Sequence, residues 1–314
     1  MSEPLVSIVI PLFNKEAWII QTLASVYNQS YKNWECIIIN DGSTDQSLNR
    51  VLEFIDLYPG NWVISNITNS GQAHARNCGI EISKGDLIAF LDADDLWHPN
   101  KLQSQVELFL IYPDVELVLS SYVIFRENQF SGFRIVKSRD AGKLVENWLN
   151  MRGFGGLIES TGVIKRATLF ACGKYPLTLS MTSGLDLCLR VVRLKQVLVS
   201  PMPYVFYRLS DGQFHKNEDV LKTDLKITRL THSLTPKMLK NLEVSHANYI
   251  YWSESRRLGR IKFVRRILLA LMRLDTPKLV LLYFLITRNW LALFRGFCHQ
   301  MEIRAFFQAH KSTL

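Results

Sequence analysis

Five short apolar runs recur along the first 121 residues, and each of the first four is followed by a stretch with apolar positions at helical spacing. The runs are 5–12 (Leu-Val-Ser-Ile-Val-Ile-Pro-Leu), 34–39, 62–67, 87–91 and 115–121; the helical stretches are 17–27, 44–57, 72–82 and 99–112. Thr44 or Asp45 is placed to cap the second helix, and Pro99 sits in the first turn of the fourth. Strands apolar on both faces must be covered twice. Such an alternation predicts an α/β fold with a mostly parallel sheet flanked by helices. With 48% apolar and 21% charged residues the chain can bury a core and is not disordered overall. Its 314 residues suit one domain of about 200–250 residues and an appendage. Five scattered cysteines without a C-x-x-C pair argue against a disulfide scaffold or a structural zinc site. The N-terminus has no basic segment leading into an apolar one, so a cytoplasmic protein is expected.

In sheets of this kind ligands bind outside the carboxyl ends of the strands. Those ends carry Pro11-Leu12-Phe13-Asn14, Asp41-Gly42-Ser43-Thr44-Asp45 and Asp92-Ala93-Asp94-Asp95. No glycine-rich turn follows the first strand, which disfavours a dinucleotide-binding enzyme or a P-loop nucleotidase. The same lack of a phosphate-binding loop disfavours a nucleotidyltransferase. Asp92 and Asp94, two apart in a turn, can converge on one hard cation such as Mg2+ or Mn2+. They can equally serve as loop or helix-capping residues. Their place at a strand end, parallel to a second acidic strand end, favours the cation.

Five ordered motifs then give the first ~120 residues a family resemblance. They are Ser7-Ile8-Val9-Ile10-Pro11-Leu12-Phe13-Asn14, Ser25-Val26-Tyr27-Asn28-Gln29-Ser30-Tyr31, and Ile39-Asn40-Asp41-Gly42-Ser43-Thr44-Asp45. Next come Asn69-x-Gly71-x-x-x-Ala75-Arg76-Asn77-x-Gly79 and Gly85-Asp86-x-Ile88-x-Phe90-Leu91-Asp92-Ala93-Asp94-Asp95. Together they resemble a family 2 glycosyltransferase of the GT-A fold. The resemblance implies a nucleoside diphosphate sugar donor, a divalent metal (Mn2+ or Mg2+), and inversion at the anomeric centre. It implies that Pro11 and Phe13 lie beside the base and that Asp41 binds it, typically uracil or thymine. Glu16 would stand near the nucleotide, and Arg76, with Asn77 behind it, would border the nucleotide site. Asp92 would touch ribose or metal, and Asp94 would be the metal ligand bridging the pyrophosphate. Helix capping by Asp41 and a surface ion pair for Arg76 are the alternatives.

Inversion by direct displacement needs a base for the acceptor hydroxyl proton. In relatives an Asp of a Glu-Asp pair supplies it, and the position of that base here is Gly184. Asp186 and Arg190 match the acidic and arginine positions that follow it. Asp186 is therefore a candidate base or a structural partner of Arg190 one turn on. Glu159 is a second candidate near the expected acceptor side. The His that relatives carry after Tyr207-Arg208 as a further metal ligand is Ser210 here; His215 or Asp211 is a candidate substitute, and a loop that supplies no ligand is the alternative. Trp148 either lines the acceptor cleft or packs.

The charge is uneven. Residues 256–314 hold twelve Lys/Arg and two Asp/Glu, whereas the whole chain, at +9, has 37 against 28. Arg256, Arg257, Arg260, Lys262, Arg265 and Arg266 interleave with apolar residues as in a basic amphipathic helix. That pattern suits the surface of an anionic membrane; packing on the catalytic body is the alternative. The aromatic residues there sit on apolar positions rather than among the charges, which argues against nucleic acid. The expected organisation is a GT-A domain over 1–220, with a nucleotide half (1–122) and an acceptor half (123–220), and a basic helical region over 221–314. The expected partners are a nucleoside diphosphate sugar, a glycan or lipid-linked acceptor and the inner face of the plasma membrane. A catalytically inactive sugar-nucleotide-binding or scaffold protein is the rival reading.

Overall fold

The computed structural model describes residues 3–126, 129–134, 159–180, 182–194 and 196–208, together with 223–224, 226–228 and 231–232. These lie in the first of two units, Met1–Tyr249; the second, Ile250–Leu314, lies outside the described residues. The basic tail, the boundary expected near 220, Trp148, Ser210, Asp211 and His215 likewise fall outside them.

The strand β1 (Val6–Leu12) is buried at every position. Alternate residues of a strand face opposite sides, so β1 must be covered twice. Val6, Ile8, Ile10 and Leu12 join one core cluster with Leu23 of α1 (Ile19–Tyr27) and Val51 and Phe54 of α2 (Ser47–Leu57). Val9 joins another with Ile80 of α3 (Gln72–Ile82) and Ile88 and Phe90 of β4 (Leu87–Phe90). Each fully buried side chain of this size contributes about 1.5–3 kcal/mol. The strand β1 pairs in parallel with β2 (Trp34–Asp41) and with β4, and β2 pairs in parallel with β3 (Trp62–Ile67). These elements match the alternation read from the sequence, with ends moved by a few residues. The cap of α2 differs: Gln46 is its N-cap residue, and the Asp45 carboxylate accepts the Ser47 N–H at 2.9 Å.

The second half of the sheet changes direction. After β4 come β5 (Leu96–Trp97), α4 (Lys101–Ile111), β6 (Val115–Arg126) and β7 (Gln129–Arg134). A 3-10 turn (Glu159–Thr161), β8 (Val163–Lys165), α5 (Arg166–Cys172), α6 (Ser183–Leu194) and β9 (Gln196–Arg208) complete the described elements. The order is β3-β2-β1-β4-β8-β6-β9-β5, with β7 on β6. The strand β8 is antiparallel to β4 and β6, and β9 is parallel to β6. Among the described residues every antiparallel pair includes β7, β8 or β9, the strands that follow residue 122. The short β5 pairs antiparallel with β9, Leu96 opposite Phe206, so the chain leaving the acidic turn is sewn to the end of β9.

Helix α3 approaches β1 very closely. A Cβ on Gly79 would collide with the Val9 side chain. Gly79→Leu is expected to lower stability by about 1–3 kcal/mol through overpacking. A urea unfolding midpoint unchanged from the wild type would contradict this close approach.

Candidate active site

The loops after β1 and β2 are zipped together by their own polar residues. The Asn14 Oδ1 accepts the Thr44 N–H at 2.8 Å, and the Lys15 N–H donates to Ser47 Oγ at 2.7 Å. Glu16 Oε2 accepts the Gln46 N–H at 2.9 Å, while the Glu16 N–H donates to Asp45 Oδ2 at 3.1 Å. Glu16 therefore fixes the start of α2. Pro11 lies inside β1 opposite Ile39, and Phe13, just past the strand, is 44% exposed.

Asp41 ends β2 and is buried. Its Oδ1 accepts the Ser70 N–H at 2.7 Å and its Oδ2 the Gly71 N–H at 2.9 Å. Both donors precede α3, so Asp41 draws that helix's entry onto the sheet end. Each carboxylate oxygen has a second lone pair with which to meet a further donor.

The acidic turn after β4 is held by basic and hydroxyl groups from other segments, among them Lys15, Arg76, Ser160 and Arg208. Asp94 is 2% exposed and receives Lys15 Nζ on Oδ2 at 2.5 Å. Asp95 is fully buried: its Oδ2 accepts Ser160 Oγ–H at 2.6 Å and its Oδ1 the Arg208 N–H at 3.0 Å. Arg208 also donates through Nε to the Asp94 carbonyl at 2.7 Å. Burial pushes the Asp94 carboxyl up against the opposing pull of Lys15, and burial beside Asp94 and Asp92 pushes Asp95 well up. Asp92 is the more open member. Its Oδ1 accepts from Arg76 Nη2 at 2.6 Å, and its N–H donates to Ser160 Oγ at 3.1 Å.

Arg76 is not a surface residue. It is 2% exposed and lies over the Tyr175 ring at 5.4 Å. Its other face meets Glu159 Oε1, 3.4 Å from Nη1. One guanidinium thus bridges the acidic turn and the 3-10 turn before β8, and Glu159 keeps 21% side-chain exposure. Burial pushes the Glu159 carboxyl up, with Arg76 opposing and the Asp92 charge reinforcing. The turn itself is fixed, since Trp97 Nε1–H donates to the Ser160 carbonyl at 2.9 Å. Asn77 holds the Tyr175 backbone through both its amide atoms, at 2.8 and 2.9 Å.

Gly184 lies in the first turn of α6, and a Cβ there would run into the Glu159 carboxylate. Asp186, one half-turn on, has both oxygens engaged: Oδ2 with Arg190 Nε at 2.9 Å and Oδ1 with His232 Nε2 at 2.7 Å. It is 4% exposed. Burial raises its carboxyl, but His232 and Arg190 outweigh this and hold it below the usual range.

The structure thus gathers Asp92, Asp94, Arg76 and Glu159 around one centre. Pro11, Phe13, Glu16 and Asp41 lie along the neighbouring strand ends, and Asp186 is tied into its own cluster. Sequence reasoning did not single out Lys15, Ser160 or Arg208. Lys15 was findable, because it occupies the strand-end loop that faces the acidic turn; Ser160 and Arg208 arrive from far along the chain with no local signal. Among the described residues no three His, Cys, Asp or Glu side chains group as a metal site.

The family model for glycosyl transferase family 2 matches residues 7–157. The amylovoran biosynthesis glycosyltransferase AmsB of Erwinia amylovora is 31% identical over 233 residues, 68% of this chain and 73% of its own length. The chain belongs to glycosyl transferase family 2. A second relative is the Escherichia coli UDP-Glc:alpha-D-GlcNAc-diphosphoundecaprenol beta-1,3-glucosyltransferase WfgD. It is 36% identical over 132 residues, 42% of this chain and 51% of the relative. The chain spans about half the length of the first curated relatives it matches. The 1–349 fragment of Staphylococcus aureus TarS, solved with UDP-GlcNAc, aligns with a TM-score of 0.58 at 17% identity, over 80% of this chain and 72% of the fragment. The fold of this family 2 chain is the GT-A fold.

Removing the buried Arg76 leaves the half-buried carboxylates of Asp92 and Glu159 without their shared cation. Arg76→Met is expected to cost about 3–5 kcal/mol, the range for breaking a buried charge pair, read as a shifted urea midpoint. A midpoint equal to the wild type would show that the guanidinium does not hold the two carboxylates.

Proposed function

We propose that this chain is an inverting glycosyltransferase that moves a sugar from a UDP- or dTDP-linked donor to a hydroxyl of a cell-surface glycan or lipid-linked precursor. The observation that supports it most is the placement of Asp41 at the carboxyl end of β2 and of Asp92 and Asp94 after β4, the two parallel strands that flank β1, on the edge where such sheets bind ligands. The names of AmsB and WfgD, one an exopolysaccharide enzyme and the other acting on a diphosphoundecaprenol-linked sugar, support the acceptor class.

The donor fits the chain's own groups. Asp41 offers carboxylate lone pairs to the imide N–H of a pyrimidine. The exposed Phe13 offers the base a flat apolar face, and Pro11 shapes the strand end beneath it. Glu16 works at one remove, holding the loops. Asp94 and Asp92 supply the oxygen ligands that Mn2+ or Mg2+ prefers, and one or two carboxylates suffice when substrate phosphates and water complete the shell. Lys15 already sets a positive charge against Asp94, so this position accepts a cation. A bound divalent ion would stabilise the negative charge that gathers on the leaving diphosphate. Lys15, released from Asp94, can reach toward the same charge.

A nucleotide-sugar-binding protein without turnover is the second reading, favoured by Gly184 at the position of the usual base. The basic tail is read as a peripheral attachment to the inner face of the plasma membrane. Among the described residues no helix is long and apolar enough to cross a membrane.

The test is a panel of UDP-, dTDP- and GDP-sugars with Mn2+ or Mg2+, reading released nucleoside diphosphate with and without a synthetic GlcNAc-diphospholipid. One pyrimidine-linked donor is expected to give metal-dependent release that Asp94→Ala abolishes. Binding of UDP or dTDP without release from any donor supports the inactive reading, and binding of neither removes both. The same preparation is expected to float with anionic vesicles at low salt and to be released at high salt; no flotation contradicts the membrane reading.

A further inference from the structure

The vacancy at Gly184 and the carboxylate of Glu159 are one feature. Gly184 has no side chain at the position where relatives carry their base, and the space its Cβ would take is filled by the Glu159 carboxylate. That carboxylate comes from a different element, the 3-10 turn ahead of β8. We infer that Glu159 is the proton acceptor of this enzyme, its carboxylate delivered from the turn at 159 into the place that α6 leaves open at 184. The inference rests on the glycosyltransferase reading above and deepens it.

Three further observations point the same way. Arg76 joins Glu159 to Asp92 through one guanidinium, with contacts of 3.4 and 2.6 Å, so Glu159 borders the acidic turn to which the proposed function assigns the donor's diphosphate. Its side chain stays partly exposed at 21%, as a group that meets a substrate must. Asp186, the other carboxylate of this region, is committed on both oxygens to Arg190 and His232 and stands as the anchor of α6. Arg190 in turn donates to the carbonyls of Cys172, Gly173 and Lys174, which ties α6 to the turn carrying Tyr175.

The step balances as a single displacement. The acceptor O–H proton passes to a Glu159 carboxylate oxygen while the acceptor oxygen bonds to the anomeric carbon. The bond from that carbon to the diphosphate oxygen breaks, and its electron pair leaves with the nucleoside diphosphate. Arg76 is a positioning residue in this scheme. It holds the carboxylate in place and favours its ionised form before transfer.

The experiment compares the full-length wild type with Glu159→Gln, Glu159→Ala, the double variant Glu159→Ala with Gly184→Asp, and Asp186→Asn. Calorimetric UDP affinity and thermal midpoint are measured beside UDP release from the active donor. Glu159→Gln is expected to lose about 100-fold or more in kcat, the scale of general-base catalysis, with UDP affinity kept. The double variant returns the carboxylate to α6 and is expected to regain about tenfold over Glu159→Ala. Added formate is expected to rescue Glu159→Ala and not Glu159→Gln, a signature that a merely structural glutamate does not give. Asp186→Asn is expected to lower the thermal midpoint. Glu159→Gln turning over within about threefold of the wild type overturns the assignment, as does Asp186→Asn losing all turnover with an unchanged midpoint. A wild type that binds neither UDP nor dTDP refutes the glycosyltransferase reading instead, so the two failures are distinct.

Discussion

A buried guanidinium holds this site together. Arg76 is removed from water, and an unpaired charge there would cost several kcal/mol. It is matched instead by Asp92 on one side, Glu159 on the other and the Tyr175 ring. The rest of α3 is arranged to bring it there. Asp41 pins the helix entry, the absent side chain of Gly79 lets the helix settle against Val9, and Asn77 clamps the Tyr175 backbone. Arg76 thus joins the acidic turn after β4 to the 3-10 turn before β8, beside the bonds that Ser160 and Asn77 make between the same parts of the chain.

The acidic turn shows the same economy. Asp92, Asp94 and Asp95 follow a fully buried strand, and three adjacent carboxylates would repel one another strongly in so dry a place. Each has its own counter-group: Arg76, Lys15, and the Ser160 hydroxyl with the Arg208 N–H. Asp95 is braced by Ser160 and Arg208 and Asp94 is paired with Lys15, although they are neighbours in sequence. The difference comes from what packs beside each. Ser160 Oγ spans Asp92 and Asp95, so the turn that presents Glu159 is also the brace of the acidic turn.

Local pattern made the first half readable. Burial on both faces of β1, β2 and β4 writes itself as continuous apolar runs, and the helices between them follow the period of their covered face. The acidic and Phe13-bearing strand ends could be read as a site for the same reason, because parallel topology sends every carboxyl end to one edge. The second half resisted. The strand β8 is three residues long, and its antiparallel pairing with β4 and β6 depends on partners about 75 and 45 residues away. Gly184 could be read as a departure from the family pattern. That a glutamate 25 positions earlier fills the gap is a fact of three-dimensional proximity, with no trace in local spacing. Asp186 illustrates the converse: its Arg190 partner was visible at i, i+4, and His232, which closes its second oxygen, was not.

The most direct measurement is a crystal structure of the full chain with UDP and Mn2+. It should show uracil at the Asp41 and Phe13 end, manganese against Asp94 with Lys15 moved off that carboxylate, and Arg76 still bridging Asp92 and Glu159. UDP seated away from the β1, β2 and β4 strand ends, or Arg76 turned away from both carboxylates with the nucleotide in place, would contradict the central claim.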